Sequence, residues 1–158
     1  MDSFDKKILN IVQQNNQLST ERIAEQVNLS PSAVQRRLKR LRKDGIIEAD
    51  VAIISPQASG RLLTIIVEVT LEQERLISSV LDEFKKLVLN TPEVMQCYHV
   101  TGNADFILII AAKDMQDYEA LTHRLFVDNR SVRRFQTSVV VSRVKSRSTV
   151  PFLEETNE

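Results

Sequence analysis

The chain has 158 residues, enough for one or two small domains, and its 42% hydrophobic and 27% charged residues are a normal globular balance. Twenty-one Lys/Arg offset twenty-one Asp/Glu, which excludes a generally basic nucleic-acid binder and makes any charge effect local: residues 1–50 hold nine cations against seven acids. One cysteine, Cys97, excludes an internal disulfide framework; no apolar run reads as a signal peptide or reaches spanning length, so a cytoplasmic protein without a membrane partner is expected.

In chain order, Ser3 to Gln14 carries Ile8, Leu9 and Val12 at helical spacing. Ser19 then caps a short helix over Thr20 to Val27, with Ile23, Ala24 and Val27 on its inner face. The connection Asn28-Leu29 is tight, and Asn28 is one of the few non-glycine residues that tolerate positive φ. Ser30 caps the next helix, Pro31 fits its first position and Gly45 closes it. Val34, Leu38 and Leu41 form its buried stripe, while Leu18, Leu29 and Ile46 are expected to fill the gaps between the three helices.

From Pro31 to Lys43 there are six basic residues and no acid, on a helix roughly 20 Å long, which suits a DNA major groove. Three short helices with a tight turn and a basic last helix describe a helix-turn-helix reader of double-stranded DNA. Its candidate contacts are Ser30, Ser32, Gln35, Arg36, Arg37, Lys39 and Arg40. Arg36 and Lys39 are expected in the groove, and Gln35 to test a base edge. Arg37 and Arg40, with Arg42, are expected on phosphates.

Beyond the reader, Ile46 to Ile54 is β-branched and predicts a strand leading away from the helices. Ser55 to Gly60 is a Pro/Gly/Ser cluster that marks a linker. Leu63 to Leu71 alternates as a strand, and Leu76 to Val88 has helical spacing that ends near Asn90, ahead of Pro92. Val94 to Thr101 and Asp105 to Ala112 read as strands about the turn Gly102-Asn103-Ala104. Met115, Tyr118, Leu121, Leu125 and Phe126 give another helix, and Val132 to Val144 a last strand with Val139, Val140 and Val141 inside.

The whole is an α+β chain: a winged-type helix-turn-helix over residues 1–50, a strand and linker over 51–61, a βαββαβ ferredoxin-like domain over 62–145, and a loosely held polar tail over 146–158. Phe106, Leu108 and Ile110 alternate with Ile107, Ile109 and Ala111, so the sheet has a second apolar face that two helices cannot cover. A homodimer packed sheet to sheet is the expected remedy.

The chain resembles the Lrp/AsnC family of transcription regulators from about Asp5 to Phe152. The likeness rests on Ile23-Ala24, Val27, Leu29 to Val34, Arg36-Arg37, Leu41 and Gly45-Ile46-Ile47, and on Thr101 to Phe106, Thr137-Ser138 and Lys145. The resemblance implies dimers that assemble further into octamer-like rings, and a small amino acid that changes assembly or DNA affinity. It places the effector at the turn Thr101, Gly102, Asn103, Ala104 and Asp105. Thr137 and Ser138 lie on the last strand, which in a βαββαβ sheet need not neighbour this turn within one subunit, so their hydroxyls are expected to reach the ligand from a facing subunit. A glycine turn admits backbone N–H groups to a carboxylate, and Asp105 suits an ammonium group. Ala104 and Phe135 depart from the family's pattern, and both reshape the pocket.

Two other readings compete. An architectural DNA binder of the same fold makes Asp105 a strand-start residue and Gly102 a turn glycine. A small ferredoxin-like enzyme needs chemistry from His99, Cys97 or His123, and no catalytic set, metal spacing or cofactor fingerprint accompanies them. No cofactor, no metal and no enzymatic activity are expected.

Overall fold

The computed structural model describes residues 1–72, 78–146, 149–150 and 152. They form two compact units, Met1–Ile53 with the segment from Lys145 onward, and Ile54–Val144.

The first unit is built on three helices, α1 (Ser3–Val12), α2 (Thr20–Val27) and α3 (Pro31–Lys43). Ile8, Ile23, Ala24, Val27, Val34 and Leu38 form its core, with Leu18, Leu29 and Ile47 against it. The helix ends are chemically marked. Ser19 Oγ accepts the Arg22 N–H at 3.4 Å, and Ser30 Oγ accepts the Ala33 N–H at 3.2 Å. Asn28 turns the chain at φ 55° and ψ 49°, so only two residues, Asn28 and Leu29, precede the Ser30 cap. After α3, Gly45 at φ 70° donates to Arg42 O (3.1 Å) and Ile46 to Leu41 O (2.9 Å), a Schellman closure. That closure corrects one expectation: Ile46 is swung out and 45% exposed, and Ile47 packs on the core in its place.

The strand expected over Ile46 to Ile54 is absent. Val51, Ile53 and Ile54 are exposed, and Ser55 instead caps a single helical turn, α4 (Pro56–Ser59). β-branched residues favour a strand only where another strand offers its edge, and among the described residues none pairs with this segment. Two described residues of the tail, Val150 and Phe152, differ from the loose hold expected of it. Asn10 on α1 exchanges two 3.1 Å bonds with the backbone of Phe152, and Gln13 does the same with Val150 at 2.9 and 2.7 Å.

The second unit is a four-stranded antiparallel sheet in the order β2-β3-β1-β4, with β1 (Leu63–Leu71), β2 (Val94–His99), β3 (Phe106–Ala112) and β4 (Val132–Val139). Helices α5 (Ser78–Leu89) and α6 (Met115–Thr122) complete the βαββαβ arrangement. Leu76 and Ile77, expected on α5, lie outside the described residues. One sheet face carries Ile65, Val67, Val69, Leu71, Phe106, Leu108, Ile110 and Ala112, all buried with Phe84, Tyr118 and Leu121. Met115 stands out of this core, 51% exposed. Beyond α6 the chain widens into a π-helical turn (His123–Val127), closed by Asp128 N–H to His123 O at 3.0 Å, which buries the consecutive residues Leu125 and Phe126.

Two strand ends fall short of expectation. β2 stops at His99 rather than Thr101, and β4 stops at Val139, leaving Val141 and Val144 outside the core and fully or almost fully exposed. The partner strand runs out: Val139 pairs with Ile65, and the Val140 N–H makes the last backbone–backbone bond to β1, to Thr64 O (2.9 Å).

Candidate functional site

The outer surface of α3 follows from its stripe. With Val34, Leu38 and Leu41 buried, the 100° advance per residue puts Ser32, Arg36, Lys39 and Lys43 opposite the core, with Arg40 on one flank and Gln35 and Arg42 on the other. Ser30, Ser32, Gln35, Arg36, Lys39 and Arg40 are all exposed, and the Ser30 and Ser32 hydroxyls lie 3.1 Å apart. No acid interrupts α3, so the surface is a cationic ridge.

Arg37 departs from the open cation expected. Its Nη1 donates to Asp2 Oδ2 and Asp5 Oδ1, both at 2.8 Å, its side chain is 20% exposed, and its guanidinium lies 5.6 Å over the Phe4 ring. Arg40 Nη2 bonds to Asp5 Oδ2 at 2.5 Å but keeps half its side chain in solvent. Arg42 grips Asp50 through Nε (2.8 Å) and Nη2 (3.3 Å). The organising acids were missed in the sequence, although the spacing of Asp2 and Asp5 was a usable signal. They form a reciprocal capping box, with Asp5 N–H to Asp2 Oδ1 (2.9 Å) and Asp2 N–H to Asp5 Oδ2 (3.1 Å). Burial pushes the Asp5 carboxyl up, but bonds from Arg37 and the Asp2 N–H outweigh it and hold it below its ordinary value. The Asp5 N–H and Arg37 lower Asp2 likewise, and the two carboxylates raise Arg37.

The second candidate surface is the turn between β2 and β3. Gly102 takes φ 124°, a conformation that favours glycine, and Thr101, Gly102 and Asn103 are exposed. Ala104 is nearly buried, so a small side chain suits the position. Asp105 Oδ2 accepts the Leu71 N–H at 2.7 Å. Val69 O accepts the Asp105 N–H at 2.9 Å, so the Leu71 N–H, two residues on, faces the same side beyond the last β1–β3 pair, Val69 with Phe106, and the carboxylate satisfies a donor that β3 no longer reaches.

Thr137 and Ser138 do not join this turn within one chain. Both lie on β4, with β1 between them and β3; from the register, each stands roughly 14–17 Å from Asp105. They also point to opposite faces. Thr137 Oγ1 is bonded to the Tyr118 hydroxyl (2.5 Å) on the helix side, and Ser138 is exposed on the open side. That open face carries Ile66, Ile107, Ile109, Ala111 and Tyr98 among Thr64, Glu68, Gln96, Gln136 and Arg134. Its apolar character is concentrated on β3, so it is more mixed than the alternation within β3 suggests.

The residues of the enzyme reading are not arranged for chemistry. His99 stacks on Phe106 with centroids 4.9 Å apart, burial pushes the Cys97 thiol up, and His123 is exposed at the start of the π-helical turn. Among the described residues, no three His, Cys, Asp or Glu are grouped to hold a metal ion, and no helix is long and apolar enough to cross a membrane.

Comparison with known proteins agrees with this division. Residues 64–150 match the Lrp/AsnC ligand binding domain, and residues 1–48 a winged helix-turn-helix DNA-binding domain. An uncharacterised HTH-type transcriptional regulator of Sinorhizobium fredii is 54% identical over 96% of this chain and 88% of its own. A leucine-responsive regulatory protein of Haemophilus influenzae is 32% identical over 92% of this chain and 86% of its own. Among solved structures, a transcriptional regulator from Neisseria meningitidis in complex with L-Met aligns with TM-score 0.89 at 29% identity, covering 96% of each chain. An AsnC family regulator from Agrobacterium tumefaciens aligns with TM-score 0.88 at 26% identity, covering 96% of this chain and 97% of that one. These relatives are transcriptional regulators, not enzymes.

Proposed function

We propose that this chain, which belongs to the Lrp/AsnC family of transcriptional regulators, reads DNA with the outer face of α3 and adjusts that reading to a small amino acid held by its second unit. The observation that carries the first half is the acid-free ridge of Arg36, Lys39, Arg40 and Lys43 on a helix whose opposite side is the core of a three-helix unit. Arg36 and Lys39 enter the groove, Gln35 tests an adenine edge from the flank, and Ser30, Ser32 and Arg40 take phosphates. Arg37 is reassigned from phosphate contact to internal support of the unit.

Two readers are needed for a site with two half-sites, and the open sheet face supplies the means of pairing. Ile107 and Ile109 stand on it beside Ile66 and Tyr98, whereas Leu108 is buried under the helices. A sheet-to-sheet homodimer, assembling further into a ring of dimers, covers that face and brings Ser138 of one copy toward another. An effector alters DNA binding only if it favours one assembly state over another.

The effector reading draws support from the exposed Gly102 turn, from the match to a ligand-binding domain and from the relative that holds L-Met. A second reading is favoured by one observation: Asp105 is already engaged by the Leu71 N–H and Thr137 by Tyr118, as an architectural DNA binder without an effector requires. Calorimetry with methionine, leucine, asparagine and lysine separates the two. Binding of one of them, lost in Gly102→Val, supports the sensor; no binding by folded, dimeric protein supports the architectural reading.

A further inference from the structure

Asp5 is the buried acid of the reader unit: 1% of its side chain is exposed, and both oxygens are bonded. The capping box fixes its position on α1, and Arg37 neutralises it from the inner side. Its remaining partner, Arg40, is different in kind. Arg40 sits on the flank of the cationic ridge, half exposed, with one Nη2 donor directed back to Asp5. A guanidinium has five N–H donors in a rigid fork, so donors remain for a second anion.

We propose that Asp5 is a positioning residue for DNA binding, a buried carboxylate that holds the Arg40 guanidinium ready for a backbone phosphate. The proposal rests on the assignment of α3 as the reader. An unanchored arginine gives up many rotamers when it binds, which weakens association by about two- to tenfold per side chain. Asp5 removes that loss before DNA arrives. The opposite effect, weakening by its negative charge, is small because the carboxylate is shielded from solvent and compensated by two guanidinium groups.

The two effects differ in sign, so one experiment separates them. Binding of the full chain to a fluorescein-labelled random-sequence duplex is measured by anisotropy over a series of KCl concentrations, for wild type, Asp5→Asn, Arg40→Ala, Arg40→Lys and the double variant Asp5→Asn/Arg40→Ala. Positioning predicts that Asp5→Asn weakens binding about two- to tenfold, and that the double variant binds no more weakly than Arg40→Ala. Arg40→Lys keeps the charge but lacks the fork, and it is expected to lose most of what Arg40→Ala loses. Tighter or unchanged binding by folded Asp5→Asn overturns the proposal, as do losses that simply multiply in the double variant. If thermal melts show Asp5→Asn unfolded, Arg40→Lys decides: binding like wild type overturns positioning. Failure of the reader assignment itself has another signature, wild type with no salt-dependent binding to the duplex at all.

Discussion

Arg37 and Gln35 stand two residues apart on α3 and do different work, which is visible only in what each touches. Arg37 bridges Asp2 and Asp5 beneath the ridge, whereas Gln35 projects into solvent on its flank. Arg37→Ala leaves Asp5 buried with one partner fewer, so we expect a stability loss of about 2–3 kcal/mol in urea melts. The salt dependence of DNA binding should not change. The same cluster sets an acid response. Asp5 is held below its ordinary value, so the unfolded chain takes up its proton first as pH falls; stability is full above about pH 4 and declines below it. Urea melts across that range should show the decline in wild type and a shallower one in Arg37→Ala. Gln35→Ala, in contrast, should leave stability unchanged and relax preference at one base position, at a cost of about 1–3 kcal/mol on the preferred site. Competition assays with single-base variants of that site test this, and an equal loss on every sequence would contradict it.

Among the elements, the β2–β3 turn is held by a group outside it. Asp105→Ala strands the Leu71 N–H past the end of the β1–β3 ladder and should cost about 1–3 kcal/mol, while Asp105→Asn keeps an acceptor and should cost less. A thermal melt of both variants checks this; equal stability of Asp105→Ala and wild type would remove Asp105 from the support of the turn. The elements also divide by how they were legible. Ser19, Asn28, Ser30, Pro31 and Gly45 state α2, α3 and the turn between them in local chemistry, since caps and positive φ depend on neighbours in sequence. The βαββαβ order was equally legible from alternation. What was not legible depends on partners far along the chain: the missing strand at Ile46 to Ile54, the end of β4 where β1 stops, and the seating of Val150 and Phe152 on Asn10 and Gln13. Asp105 shows the limit at a single residue, because the backbone donor that decides its role lies 34 positions away.

For the whole molecule, Ile107 and Ile109 are half-covered on the sheet face where we propose that a second copy packs. Ile107→Glu and Ile109→Glu should yield folded monomers in sedimentation, with DNA affinity falling as one reader acts alone. Leu108→Glu faces the core and should unfold the domain instead. Dimeric behaviour of both surface variants would exclude the sheet-to-sheet model. The central claim, that the outer face of α3 reads DNA, has a more direct test: selection of bound sequences from a random duplex pool by wild type and by Arg36→Ala/Lys39→Ala. Wild type is expected to enrich a roughly palindromic site whose half-sites lie about one helical turn apart, and the double variant to enrich none. No enrichment by folded wild-type protein, or the same site enriched by the double variant, contradicts the account.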